Sequence, residues 1–247
     1  GEPTTDPAYR LPAFWIDDAQ RERAREIGCT VVDAATVFMT HFTELVRRHA
    51  AELLTREDTE RLLEHVRQSQ PALVNELLPT MLSTGEVQQV LQSLLREKVS
   101  IRPLPLILEV LADAARESRD VDVLTARVRQ RLGNAICEGL LDPDGTLNVM
   151  TLDMAVEQTL YDGLRQGEDG QAAISLDPRF TERLIQQLMG QSERMAGANR
   201  MPVLLCAPEC RTQVRRLVER MLPHLHVLAM TEVPSDVSLK SFAIVSC

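Results

Sequence analysis

The chain has 247 residues, a formal net charge of −9, 44% hydrophobic residues and 26% charged residues. That length supports one to three packed domains, and the acidic balance argues against a general nucleic-acid or anionic-membrane surface, which needs clustered Lys and Arg. Aromatics are only 3%, so Leu, Val, Ile and Ala must fill the interior.

Cysteines stand at 29, 137, 206, 210 and 247. An odd, loosely spaced set reads as reduced thiols in a reducing compartment. No window approaches the run of apolar residues that spans a bilayer, and the start, Gly-Glu-Pro-Thr-Thr-Asp-Pro, is no signal peptide.

Residues 1–12 carry Pro3, Pro7 and Pro12 and are expected to be extended and irregular. Ala13 to Ile16 is a short strand candidate. Asp17 and Asp18 follow, better placed to cap the next helix than to act as a catalytic carboxylate pair. Gly28 suits the helix stop. Cys29 to Val32 is a second short strand candidate, and Asp33 caps a long helix to about Leu54. On that helix Val37, Phe38, His41, Leu45 and His49 fall near one face. His41 and His49 are two turns apart, too far for a paired-ligand motif, so a hydrogen-bonded or interface histidine is the expectation.

From Thr55 to about Ala115 the spacing is helical throughout, with short joints. Thr55 and Asp58 open one helix, with Leu62, Leu63 and Val66 inward, and Pro71 starts a short one through Leu78. Ser83 and Glu86 form a capping box, followed by Val87, Val90, Leu91, Leu94 and Leu95 at one-face spacing. Val99 and Ile101 suggest an extended joint. Pro103 and Pro105 open a further helix with Leu104, Ile107, Leu108 and Leu111 as its stripe. A helix–extended–helix layout can suggest a DNA reader, but this second helix carries Glu109 and Asp113 and no basic residue before Arg116, so no nucleic-acid contact is expected.

After Asp120 the character changes. Val121, Leu124, Val128 and Leu132 make one more helix, ending near Gly133 to Gly139. Asp142 to Gly145 is a turn, Thr146 to Thr151 a strand, and Met154 to Leu164 a helix. Gln166 to Gln171 reads as a loop. Asp177-Pro178 opens a helix through about Met195. Strands at Val203–Cys206, Leu225–Met230 and Leu239–Val245, with a helix from about Arg211 to Leu222, complete an α/β pattern. The fold class is therefore mixed α/β in several subdomains. A central all-helical subdomain is followed by a C-terminal α/β subdomain with a partly parallel sheet.

Chemistry is sought first at the strand ends of this α/β part. The turn Ala207-Pro208-Glu209-Cys210 has no glycine to let phosphate approach the backbone, and neither the P-loop nor the nucleophile-elbow pattern occurs. Cys206 and Cys210 form C-x-x-x-C, with His224 and His226 wrongly spaced to complete a zinc site. Cys210, near a helix start, is placed for a lowered thiol pKa. No metal and no cofactor are expected.

Several stretches together resemble one family. These are Leu94 to Ala115 (LLREKVSIRPLPLILEVLADAA), Asp122 to Gly133 (DVLTARVRQRLG), Asp6 to Asp17 (DPAYRLPAFWID), Gly28 to His41 (GCTVVDAATVFMTH) and Pro202 to Leu228 (PVLLCAPECRTQVRRLVERMLPHLHVL). They are similar to the large export-gate proteins of bacterial type III secretion, in flagellar and injectisome forms, over essentially the whole chain. Asn148 to Asp153 and Pro202 to Pro208 lean towards the flagellar form.

The resemblance implies a non-enzymatic docking platform at the cytoplasmic face of the bacterial inner membrane. It implies that this chain is the latter part of a longer protein, reaching the membrane only through a preceding half, which suits a start without Met. It divides the chain into residues 1–30, part of a small second subdomain, and 31–54, the return helix of the first. Residues 55–133 form the helical third subdomain and 134–247 the α/β fourth. Implied partners are export chaperone–substrate complexes, ATPase complex components and eight further copies in a nine-membered ring. The family's chaperone-docking hollow matches Asp6, Tyr9 and Thr40 here, with Val32 and Val37 lining it; Tyr9 stands where the family often has Phe. The rival readings are an enzyme or nucleotide-binding protein using the terminal α/β domain, and a scaffold in which Asp6, Tyr9 and Thr40 merely pack.

Overall fold

The structure, a computed structural model, describes residues 1–8, 11–165 and 176–246. It divides into two compact units, Gly1–Leu104 and Pro105–Cys247.

The first unit opens on a hairpin. β1 (Glu2–Thr5) pairs antiparallel with β2 (Pro12–Trp15), Glu2 opposite Trp15 and Thr5 opposite Pro12. The proline-rich start was expected to be irregular; it becomes a strand because β2 supplies the ladder, a partner local propensity does not reveal. A 3₁₀ turn at Asp18–Gln20 leads into α1 (Arg21–Glu26), and Asp17 sits at the cap position without a side-chain cap bond. Gly28, at φ +86°, stops this helix as expected. Its N–H donates to Arg25 O and that of Cys29 to Ala24 O, both at 3.0 Å, the paired pattern of a left-handed helix stop. The strand expected at Cys29–Val32 does not form, and these residues are irregular. β-branched residues favour a strand only where a neighbouring strand accepts their hydrogen bonds.

Four helices follow in this unit: α2 (Ala34–Leu53), α3 (Arg56–Ser69), α4 (Pro71–Leu77) and α5 (Thr84–Arg96). Capping boxes open α3 at Thr55 and Asp58 and α5 at Ser83 and Glu86. In the second, the Glu86 N–H donates to Ser83 Oγ at 3.2 Å while the Ser83 N–H donates to Glu86 Oε2 at 2.6 Å. Val87, Val90, Leu91 and Leu94 on α5 are fully buried, as the spacing predicts, and Leu63, Val66, Val74 and Leu77 are buried on the neighbouring helices. α2 packs on α5. The Gln88 and Gln92 amides of α5 donate to the Leu54 carbonyl at 2.9 and 3.1 Å, satisfying the end of α2. α5 itself stops at Lys98, which adopts φ +60° without being glycine.

In the second unit α6 (Leu104–Ala114), α7 (Val121–Arg131) and α8 (Gly133–Glu138) precede the sheet. β3 (Thr146–Leu152), α9 (Met154–Arg165), α10 (Pro178–Gly197), β4 (Val203–Cys206), α11 (Pro208–Val218), β5 (His226–Ala229) and β6 (Ser238–Val245) complete it. The loop expected at Gln166–Gln171 lies outside the described residues. The sheet order is β5-β4-β3-β6 with every pairing parallel. α11 starts three residues before the expected Arg211, because Pro208 is preset for a first helical turn. Alternation assigns the faces. Met150, Leu152, Leu204 and Cys206 pack with α9, α10 and α11, whereas Leu147, Val149, Val203 and Leu205 pack with Cys137 and Leu140.

Candidate functional site

The residues expected to line the docking hollow fall on the hairpin and the start of α2. Asp6 sits in the turn between β1 and β2. Its N–H donates to the Leu11 carbonyl at 2.8 Å, and its Oδ1 accepts from the Ala8 N–H at 2.9 Å, so the carboxylate shapes the turn. Tyr9 lies outside the described residues. Val32 is exposed just ahead of the α2 cap. That cap is Asp33, which accepts from the Thr36 N–H at 2.9 Å and hydroxyl at 2.8 Å. The Thr36 hydrogen bonds, the backbone one foremost, hold the Asp33 carboxyl below its ordinary pKa.

Val37 and Thr40, three residues apart, share one face of α2 and are half-buried. Glu44 and the buried Ala51 continue that face, with Glu44 Oε1 4.0 Å from Lys98 Nζ. The structure thus brings Val37 and Thr40 together on one helix and leaves Asp6 in a separate element.

The other side of α2 was missed. Phe38, Met39, Phe42, Leu45, Val46 and Leu53 are all exposed, and the Phe38 and Phe42 rings stack at 6.2 Å. The expected grouping of Phe38 and Leu45 with Val37 and His41 is incorrect: Val37 and His41 are half-buried, whereas Phe38, Leu45 and His49 are exposed. A helix wheel separates the two sets, since i, i+4, i+7 from Phe38 reaches Phe42 and Leu45 and not Val37. On the hairpin Leu11, Phe14 and Trp15 are exposed as well. His49 hydrogen-bonds Glu52 at 3.0 Å, in line with its expected role.

The strand ends of the α/β unit hold an acid where an anion ligand would have to sit. Glu157 Oε1 accepts from the Ala207 N–H at 3.1 Å, at the amino end of α11. The next residue, Pro208, has no N–H to offer. A phosphate there would meet a carboxylate and fewer donors, which opposes anion binding at this helix end. Cys206 and Cys210 are buried. Burial pushes the Cys210 thiol up to about 11 and that of Cys206 further up, so the expected lowering at Cys210 is overturned: desolvation outweighs the helix start. Among the described residues no group of three or more His, Cys, Asp or Glu could hold a metal ion. No described helix is long and apolar enough to cross a membrane.

One charged cluster escaped the sequence reading altogether. Arg129 on α7 and Glu232, just after β5, are each 2% exposed. Arg129 Nε donates to Glu232 Oε1 at 2.8 Å and Nη2 to Oε2 at 2.7 Å. Arg211 Nε lies 3.6 Å from the same carboxylate and donates to the Val227 carbonyl at 3.2 Å. Gly133 lies against this segment, where an added Cβ would collide with the Glu232 carbonyl. The cluster is enclosed in the fold and holds α7 to the sheet. Its role is architectural.

Comparison with known proteins follows the same lines. The model of the FHIPEP family matches residues 1–238. The flagellar biosynthesis protein FlhA of Bacillus subtilis (strain 168) is 39% identical over 245 residues, 99% of this chain and 36% of that protein. The chain thus spans about a third of that relative's length. Among solved structures, the nonameric EscV cytosolic domain from the type III secretion system has a TM-score of 0.76 at 26% identity, covering 93% of this chain and 68% of that one. The Chlamydia pneumoniae CdsV protein, solved in complex with CdsO, superposes with a TM-score of 0.83 at 21% identity over 94% of this chain and 68% of that chain, a likeness of fold alone. The agreement in sequence runs through hairpin, helical core and parallel sheet alike, and the chain belongs to the FHIPEP family.

Proposed function

We propose that this chain is a cytoplasmic docking platform of a type III protein export gate, recognising export chaperone–substrate complexes and passing cargo towards the membrane channel. The observation that carries the reading is the 39% identity with a flagellar biosynthesis protein over 99% of the chain. The flagellar branch is favoured, since that identity exceeds the 26% shared with the EscV cytosolic domain. A nonameric relative supports assembly into a nine-membered ring. ATPase complex components are further partners, and the membrane is reached through a preceding part of a longer protein.

In this reading residues 31–54 are the return helix of a first subdomain, 1–30 part of a second, 55–133 a third and 134–247 a fourth. The exposed apolar side of α2 supports this, because six large apolar side chains on one free helix face demand a cover. Asp6, Tyr9, Val32, Val37 and Thr40 line the chaperone-docking hollow.

Calorimetric titration with a flagellar chaperone–substrate complex tests the site. Tyr9→Ala and Asp6→Ala each weaken binding by about 1–3 kcal/mol. Asp6→Asn keeps the turn-forming acceptor and removes only the charge, so it separates docking from loss of the turn. Unchanged affinity in all three variants assigns these residues to packing. The enzyme reading predicts instead a rise of several degrees in melting temperature with a nucleotide, against which the Glu157 carboxylate at α11 already weighs.

A further inference from the structure

α2 is a long helix with little beneath it. Of its twenty residues only Ala51 is buried, while Val37, Thr40, His41 and Glu44 form a half-buried stripe along its amino half. Among the regular elements it packs principally on α5, and two polar ties run between the pair. At the carboxyl end the Gln88 and Gln92 amides hold the Leu54 carbonyl. Further back, Glu44 Oε1 lies 4.0 Å from Lys98 Nζ, and the Glu44 side chain is only 22% exposed, so its charge is partly withdrawn from water. Among the described residues no other cation lies as near to it. Val37 stands about 10 Å beyond Glu44 along the helix, so a small change of angle at this tie moves it appreciably.

Lys98 holds its place in a strained conformation. α5 ends in a Schellman turn: the Val99 N–H donates to the Leu94 carbonyl at 2.9 Å and the Lys98 N–H to the Leu95 carbonyl at 3.0 Å, with Leu94 and Val99 both buried. Such a turn needs a left-handed residue at position 98, and Lys98 takes φ +60°. Glycine adopts that conformation without the Cβ clash that lysine meets. A strained residue kept where glycine would serve directs attention to its side chain, and this ammonium faces the helix that carries Val37 and Thr40.

We propose that Lys98 is a positioning residue: its left-handed backbone aims the ammonium at Glu44, and the tie sets the angle at which the amino half of α2 presents Val37 and Thr40. The positioning follows from these contacts; its consequence for docking rests on the function proposed for the hollow.

Three variants of the whole chain test this. Lys98→Gly removes both strain and ammonium, Lys98→Met keeps the strain and removes the charge, and Lys98→Glu combined with Glu44→Lys reverses the pair. Hydrogen exchange read by mass spectrometry is expected to quicken about threefold in residues 34–44 of both single variants and to slow again in the double variant. Lys98→Gly nevertheless melts about 2–4 °C above Lys98→Met, since only it is relieved of the backbone strain. Affinity for a flagellar chaperone–substrate complex falls about threefold in the single variants and recovers in the double one. Should Lys98→Met not fold, Lys98→Gly and the double variant carry the test. Unchanged exchange in residues 34–44, or exchange that the reversed pair does not restore, overturns the proposal. Affinity that falls while exchange stays unchanged also overturns it and makes Lys98 a direct contact of the partner. Exchange that responds as expected while affinity does not upholds the positioning role and counts against the docking reading alone.

Discussion

Replacing Glu232 with Gln is expected to be among the most damaging single changes in the second unit. The carboxylate receives two short bonds from Arg129, at 2.8 and 2.7 Å, and faces Arg211 at 3.6 Å. All three side chains are 4% exposed or less, so solvent cannot take over the charge. Gln keeps the volume and one acceptor oxygen but leaves two buried cations without their shared counter-charge. Breaking a buried pair in this way costs about 3–5 kcal/mol. Arg129→Met leaves Glu232 beside Arg211 and is expected to cost less, about 2–3 kcal/mol. With a urea slope of about 2–3 kcal/mol per molar, the Gln variant lowers the unfolding midpoint by about 1–2.5 M. Far-ultraviolet circular dichroism reads the transition, and amide exchange in β3 and β5 assigns it to the sheet. A midpoint shift below about 0.3 M, or a larger loss in Arg129→Met than in Glu232→Gln, would refute the shared-carboxylate argument.

Three further outcomes follow from the same geometry. Ser83→Ala removes a reciprocal cap from α5 and is expected to cost about 1 kcal/mol in chemical denaturation, whereas Asp17→Ala, whose side chain makes no cap bond, stays within about 0.5 kcal/mol. Phe38→Ser combined with Phe42→Ser reduces concentration-dependent self-association in sedimentation velocity while leaving the melting curve nearly unmoved, because both rings are already exposed; a large loss of stability would show that α2 uses this side inside the chain. Mass-spectrometric mapping of alkylation at mildly alkaline pH is expected to find Cys29 modified, and Cys137, Cys206 and Cys210 spared. Burial raises Cys137 and Cys210 from 9.0 to about 11, so the folded state holds protons that the unfolded state releases. Their contribution to stability is full below about pH 9 and is lost as the pH climbs towards 11; rapid labelling of Cys210 in the folded chain would contradict this.

The helical core was legible because its signals are local. Ser83 and Glu86 are within one turn, and Val87, Val90, Leu91 and Leu94 repeat with the helix period, so spacing alone assigned both cap and buried face. Gly28 and the Val203–Cys206 run were legible for the same reason. Of the candidate site, the sequence placed Val37 and Thr40 on one helix, but it also grouped Phe38 and Leu45 with the inner face. Both sides of α2 carry apolar residues, and periodicity cannot say which one a neighbour covers; α5 decided it.

By itself the sequence determined the order of most elements from α2 onward, most caps and stops, the sheet-bearing character of the second half and the family. Only the tertiary structure decided that Glu2–Thr5 is a strand and Cys29–Val32 is not, since a ladder exists only where a second strand presents its backbone. Only it placed Glu157 at the start of α11, joined Arg129 to Glu232 across 103 positions, and brought Arg211 of α11 to the Val227 carbonyl of β5. Such contacts depend on which groups the whole chain removes from water together, a condition that no spacing between neighbouring residues records.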